Sequence, residues 1–267
     1  MPILHLAVLA MVQGITEFLP ISSSGHLILV PVLAGWPDQG LILDVAVHVG
    51  TLGAVMAYFW RDMLGLLLGG LKLFAGRVDP YGRMIGLLII ATLPVIGAGF
   101  LVNEYLGDSL RSIEIIGWTT LVFGIVLWLA DRMGMTLRRS EHLGVFDAIM
   151  LGLAQVLALI PGTSRSGITM SAARMLGMER SEAARFSMLM SVPTILGAGV
   201  LKGYDLIEAG NAQLTADAMI GAILAFVSAL IAIWALMAWL RRSTFTPFVL
   251  YRVALGGFLL ALAYGFV

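Results

Sequence analysis

Two polar stretches interrupt an otherwise apolar chain, and both carry groups that could handle a phosphate. The first, Gln13 to His26, reads QGITEFLPISSSGH, and the second, Gln155 to Thr169, reads QVLALIPGTSRSGIT. Gln13 and Glu17 stand four apart, so on a helix they share a face and can hold one ligand together. A carboxylate inside a membrane segment costs a few kcal/mol, and intramembrane ionisable groups are functional by default. Ser22, Ser23 and Ser24 stand just ahead of a second short helix, where hydroxyls cap free amides; capping is the first reading of Ser22 and Ser24. A helix start with free amides and a positive dipole end is also an anion site, with phosphate its usual guest, and Gly25 would let backbone approach that guest. His26 can serve as base, acid or nucleophile near neutral pH. A turn that folds the hairpin back would bring it to Glu17; the alternative is a histidine at a helix start that only hydrogen-bonds its neighbours.

In the second stretch Ser164, Arg165 and Ser166 occupy the corresponding turn, with Gly162 and Gly167 permitting close approach and Thr169 one turn on, to cap or to touch phosphate. The planar fork of Arg165 suits a phosphate bidentately and could stabilise charge on a transferring phosphoryl group. The alternative is a salt bridge from Arg165 to Glu17 that joins the hairpins without chemistry. Together the two stretches make one expected site. Other polar residues rank lower. His48, one turn after Asp44, is open between a supporting role and plain packing, and Arg252 is expected to snorkel or pair. His5 and His142 carry no signal.

The chain that must position these groups has 267 residues, 60% of them hydrophobic and 12% charged, with a mean hydropathy of +0.97. That places it among polytopic membrane proteins, and the absence of alternating barrel strands makes it all-α. Sixteen basic and sixteen acidic residues cancel, so nucleic acid is not an expected partner. Cysteine is absent, which removes disulfides and thiolate chemistry. No P-loop, dinucleotide fingerprint, HExxH or zinc spacing occurs, so ATP-driven transport is not expected. The N-terminus lacks the basic region and cleavage site of a signal peptide.

Residues 2–34 form two short apolar pieces around Pro20 and Ser22 to Gly25, the pattern of a re-entrant hairpin. Spans are expected at about 42–60, 82–101 and 113–131; a second hairpin follows at 145–176, broken at Pro161 to Gly167, and then spans at about 186–202, 218–240 and 248–266. With both hairpins returning to their starting side, the loops holding Arg61, Lys72, Arg77 and Arg83, then Arg132, Arg138 and Arg139, then Arg174, Arg180 and Arg185, then Arg241 and Arg242, all fall inside. Asn103, Glu104, Asp108 and Arg111 fall outside, as do Lys202, Asp205, Glu208 and Asp217. The expected fold is therefore one transmembrane domain over 1–267, with six transmembrane helices and two re-entrant hairpins. Its two repeats, 1–135 and 145–267, have inverted topology, which puts a site near the midplane.

At these residues the chain resembles the bacterial undecaprenyl pyrophosphate phosphatase, or bacitracin-resistance, family. The resemblance covers essentially the whole length. It rests on a Glu/Gln-x-x-x-Glu motif, here Gln13 and Glu17 continuing through Ser23 and His26, and on PGxSRSxxT, here Pro161 to Thr169. A different family of membrane lipid phosphatases shares SGH and SR fragments, but its preceding Lys and Arg-Pro motif is missing and Ser171 stands where its histidine would be. The resemblance implies hydrolysis of undecaprenyl pyrophosphate to the monophosphate and inorganic phosphate, which recycles the lipid carrier for cell-wall synthesis. It also implies a divalent cation, Mg2+ or Ca2+, and a site opening to the outer side of the bacterial inner membrane. A polyprenyl-phosphate flippase, alone or in addition, is the competing expectation, and a homodimer is left open. Glu17, helped by Gln13, would hold the metal or orient His26. Ser23 or His26 would attack, and Arg165 with Ser164 and Ser166 would stabilise the phosphoryl group.

Overall fold

The computed structural model describes residues 2–37, 40–105, 110, 112–134, 137–209 and 212–266. Asp108 and Arg111 of the first outer loop lie outside the described residues, as do the side chains of Asn103, Lys202, Asp205 and Glu208. Among the described residues eleven α-helices follow one another: α1 (Ile3–Thr16), α2 (Ser23–Ala34), α3 (Leu41–Tyr58), α4 (Trp60–Phe74), α5 (Pro80–Tyr105), α6 (Ile113–Met133), α7 (Val145–Val156), α8 (Arg165–Met175), α9 (Arg180–Ala209), α10 (Ala212–Leu240) and α11 (Thr246–Ala263). No strand occurs among the described residues beyond one isolated bridge, Arg138 to Met178.

Among the described residues four segments are long and apolar enough to cross a membrane: Pro80–Val102, Ile113–Met133, Leu214–Leu240 and Thr246–Ala263. Helices α3 and α4, bent by 86° at their junction, make a fifth only if the pair is taken as one broken span. The spans expected from sequence fall on α3, α5, α6, α9, α10 and α11. Sequence reasoning missed α4, whose segment was expected as loop. It carries Arg61, Asp62 and Lys72 beside exposed Leu64, Leu67, Leu68 and Leu71, the amphipathic make-up of a helix lying in an interface.

The helices on either side of the first break are short. With 14 residues, α1 is about 21 Å long at 1.5 Å per residue, short of the roughly 30 Å hydrocarbon core. Helix α2, with 12 residues, stops at Gly35, whose left-handed φ of 67° lets its amide bond back to Pro31 and Val32 carbonyls. Helix α7, also 12 residues, runs out through a 3-10 turn at Leu157–Leu159 before the second break.

Close packing seats α1 and α7. Helix α1 lies on α10, and α7 lies on α5. At Gly14 an added methyl would come within 2.6 Å of the Ala225 carbonyl, and at Gly152 within 2.7 Å of the Ala91 carbonyl. Such backbone approach is how helices associate where lipid gives no hydrophobic drive. Helix α3 packs on both α9 and α10, and α6 on α11. Phe18, Leu127, Leu151, Met170, Phe186 and Phe245 fill the shared core.

One end of the bundle gathers the arginines expected inside. Asp131 at the end of α6 accepts from Arg174 Nε at 3.2 Å, Arg180 Nε at 2.6 Å and the Phe245 amide at 3.2 Å. Arg138 pairs with Asp147 at 2.6 Å, Arg185 pairs with Asp62 and Glu182, and Arg83 donates to the Leu143 carbonyl at 2.7 Å.

Candidate active site

The two breaks adopt the same unusual backbone. Ser22 and Ser164 have φ of 75° and 70°, a region that non-glycine residues rarely adopt. Each is the N-cap of the helix that follows, and its hydroxyl accepts the amide three residues on: Gly25 at 3.4 Å and Gly167 at 3.1 Å. The cap positions the next residue, so Ser23 opens α2 and Arg165 opens α8, each on a helix start with first-turn amides that lack intrahelical acceptors.

Glu17, at the C-cap of α1 and 6% exposed, is where the breaks meet. Its Oε1 accepts from Arg165 Nη2 at 2.7 Å. Its Oε2 accepts from Ser23 Oγ at 2.6 Å and from Gln13 Nε2 at 2.9 Å. The four-residue spacing of Gln13 and Glu17 does what a helix allows, and the bridge to Arg165 is present. His48 Nε2 stands 3.5 Å from the same carboxylate, while its Nδ1 is fixed by donation to the Asp44 carbonyl at 2.6 Å.

His26 does not reach Glu17, contrary to the contact expected from the turn. Its Nδ1 donates to the Ser22 carbonyl at 2.6 Å, which leaves Nε2 of the neutral ring to accept the Tyr251 hydroxyl at 2.6 Å. The cause is local. Helix α2 begins at Ser23, so His26 stands one turn in, and the carbonyl of the cap residue captures the ring. Tyr251 stacks on the imidazole with centroids 5.7 Å apart.

The other expected residues fall into two groups. Ser24 and Ser164 line the cavity that Glu17, Ser23 and Arg165 share. Ser166 instead ties the second break to the first, donating to the Leu19 carbonyl at 2.8 Å. Thr169 bonds the Arg165 carbonyl at 2.7 Å and the Ser187 hydroxyl at 2.6 Å. Gly162 (φ 89°) is squeezed against α6, where a methyl would meet Thr119 Oγ1 at 2.1 Å. Gly25 and Gly167 likewise face protein: a methyl on Gly25 would stand 3.4 Å from Ile116, and one on Gly167 3.0 Å from Arg252 Nη1.

Arg252 corrects an expectation. It does not snorkel; it is fully buried. Its guanidinium donates to Pro20 at 3.2 Å, Gly162 and Thr163 at 3.0 Å each, Thr120 at 3.0 Å and Thr119 at 3.3 Å, all backbone carbonyls. One arginine thus clamps both breaks onto α6. Sequence gave no sign of this, because all its partners are main-chain atoms far away in sequence.

The shared cavity measures about 360 Å3, with Val45, Val95, Leu159 and Ile195 as apolar wall. Its size and its mixture of apolar wall and convergent polar groups are those of a small-molecule site. A second cavity, about 480 Å3, lies at the arginine-rich end beside Asp79, Tyr81 and Arg83. Asp79, in the loop before α5, is held below the usual carboxylate range by the Gly82 amide and by Lys72. No group of three or more histidines and carboxylates that could hold a metal occurs among the described residues. Glu17 and the unpartnered Gln13 Oε1 supply two oxygen donors, which suits a magnesium-type ion that takes one or two protein oxygens and completes its shell with phosphate and water.

Comparison with known proteins extends this picture over the whole chain. Undecaprenyl-diphosphatase 1 of Rhodospirillum rubrum is 51% identical over 271 residues, covering 99% of this chain and 96% of its own length. The undecaprenyl-diphosphatases of Ruegeria pomeroyi and a Jannaschia species are 53% and 54% identical, each covering 99% of this chain and all of the relative. The model of the family described as bacitracin resistance protein BacA matches residues 6–258, and the chain belongs to that family.

Proposed function

We propose that this protein is an undecaprenyl-diphosphatase, hydrolysing undecaprenyl pyrophosphate to undecaprenyl phosphate and inorganic phosphate in the bacterial membrane. The observation that carries the mechanism is the junction of the breaks, where one carboxylate receives both the Ser23 hydroxyl and the Arg165 guanidinium.

The diphosphate enters the shared cavity and its terminal phosphoryl group takes Arg165 from Glu17. The carboxylate then accepts the Ser23 proton as Oγ attacks the terminal phosphorus. The bond from phosphorus to the bridging oxygen breaks, and the lipid monophosphate leaves with that electron pair. Arg165 and the first-turn amides of α2 and α8 stabilise the charge on the transferring group. Water then attacks the phosphoserine, releasing inorganic phosphate and restoring the hydroxyl. Glu17, with Gln13 Oε1, would hold Mg2+ or Ca2+. Such an ion, when bound, supplies neutralisation of phosphate charge. His26, held by Ser22 and Tyr251, buttresses the start of α2, and His48 backs Glu17.

The setting is six crossings and two re-entrant hairpins, 2–34 and 145–176, in inverted repeats over 1–135 and 145–267. Three features support it: the matched Ser22 and Ser164 caps, the exchanged packing of α1 on α10 and α7 on α5, and the pairing of α3 with α9 and α6 with α11. With the arginine cluster inside, the breaks open to the outer side and the polyprenyl tail leaves sideways into lipid.

Phosphate release from a polyprenyl diphosphate by purified protein in detergent tests this. Equal amounts of inorganic phosphate and polyprenyl monophosphate are expected. A protein that only moved lipid between leaflets would release none, because detergent offers no second compartment.

A further inference from the structure

Gln155, near the end of α7, buries a whole carboxamide: the residue is 0% exposed, and neither Oε1 nor Nε2 has a hydrogen-bond partner. A buried polar group left unpaired costs as much as a lost hydrogen bond, so a folded chain rarely keeps one without a use. The contrast with Gln13 is instructive. That side chain spends its Nε2 on Glu17, four residues on, whereas the residue four after Gln155 is Leu159, which offers nothing. Gln155 lines the cavity that holds Glu17, Ser23, Ser164 and Arg165. Nη1 of Arg165 is likewise buried without a partner. Two unused donors at one cavity call for a ligand rich in acceptor oxygens.

We propose that Gln155 is a substrate-binding residue, its Nε2 donating to a phosphoryl oxygen of the polyprenyl diphosphate alongside Arg165 Nη1. This rests on the phosphatase reading and adds a residue to its site. A neutral donor suits the position, because the carboxylates of Glu17 and Asp44 already line this cavity. A third carboxylate there would repel the substrate, and the amide oxygen remains to accept from water or from a protonated phosphate oxygen.

The test compares Gln155→Leu and Gln155→Glu in the full chain in detergent, measuring kcat, KM, the thermal midpoint, and the midpoint rise caused by a non-hydrolysable polyprenyl methylenediphosphonate. Leucine removes the orphaned amide at similar volume, so its midpoint stays level or rises. KM rises about tenfold, the scale of one hydrogen bond to a charged acceptor, and the analogue-induced rise shrinks. Gln155→Glu loses more of both. A packing role gives the reverse pattern, a lowered midpoint with unchanged KM, and would overturn the proposal. So would a Gln155→Leu protein matching the unsubstituted one in KM and analogue response. An unsubstituted protein that releases no phosphate sinks the phosphatase reading itself, a result visible before any variant is compared.

Discussion

Arg165 donates to Glu17 at 2.7 Å across 148 positions of sequence, joining the start of α8 to the end of α1. Both side chains are largely withdrawn from solvent, at 15% and 5% exposure. Removing one partner of such a pair leaves an uncompensated charge and costs about 3–5 kcal/mol, while removing both costs much less. Glu17→Gln and Arg165→Gln are therefore each expected to lower the thermal midpoint, and the double variant to recover part of the loss. All three should lose phosphate release. Strictly additive losses in the double variant would mean that the pair contributes no coupling.

Ser23 and Ser24 are neighbours with different partners: Ser23 donates to Glu17 at 2.6 Å, whereas Ser24 meets the Ser22 hydroxyl at 3.4 Å. Ser23→Ala should lower kcat by about 10³-fold or more, as deletion of a nucleophile does, with a normal midpoint. Ser24→Ala should stay close to the unsubstituted rate. His26→Ala should weaken turnover less than Ser23→Ala, because His26 acts through the Ser22 carbonyl. Near-normal phosphate release from both Ser23→Ala and His26→Ala would defeat the proposed chemistry.

The left-handed caps make a prediction of a different kind. At Ser22 and Ser164, alanine loses the capping hydroxyl and keeps the strain of a positive φ. Glycine loses the hydroxyl but relieves the strain. The cap alone is worth about 1 kcal/mol against alanine and a few tenths against glycine. Thermal unfolding should therefore rank alanine below both serine and glycine at both positions. Alanine matching serine at either would show that the hydroxyl and the backbone there are uncoupled.

Much of this was legible in the chain itself. Pro20 and Pro161 with the serine runs mark both breaks, because proline and capping hydroxyls act locally, and the apolar runs mark the spans. Helix α4 escaped because its charges and glycines read as loop, while its apolar side is meant for an interface. The placement of His48 beside Glu17 and of Tyr251 on His26 depends on how distant helices cross, which no local spacing encodes. The same holds for Arg252, whose role appears only once the carbonyls of both breaks are in place.

Arg252 leads to a further test. Its five carbonyl acceptors include Pro20 of one break and Gly162 and Thr163 of the other. A lysine keeps the charge but brings one point-like ammonium where a planar fork served several acceptors. Unpaired buried groups cost about 1–3 kcal/mol each. Arg252→Lys should lower the midpoint clearly and reduce turnover, with α-helical content by circular dichroism unchanged at low temperature. Full activity and stability in Arg252→Lys would show that the charge, not the fork, is what the breaks require.

The donor set around Glu17 predicts how a cation should behave. One carboxylate already paired with an arginine, plus an amide oxygen, is too few ligands to capture Mg2+ alone, since that ion gives up water reluctantly and prefers to share phosphate oxygens. Millimolar Mg2+ or Ca2+ should therefore leave the thermal midpoint of the substrate-free protein unchanged. It should raise the midpoint when a non-hydrolysable diphosphate is present, by more than the diphosphate does alone. EDTA should abolish phosphate release and added Mg2+ should restore it, whereas Glu17→Gln should show no synergy between cation and diphosphate. Full activity in EDTA would remove the cation from the mechanism and leave Glu17 with its role toward Ser23 and Arg165.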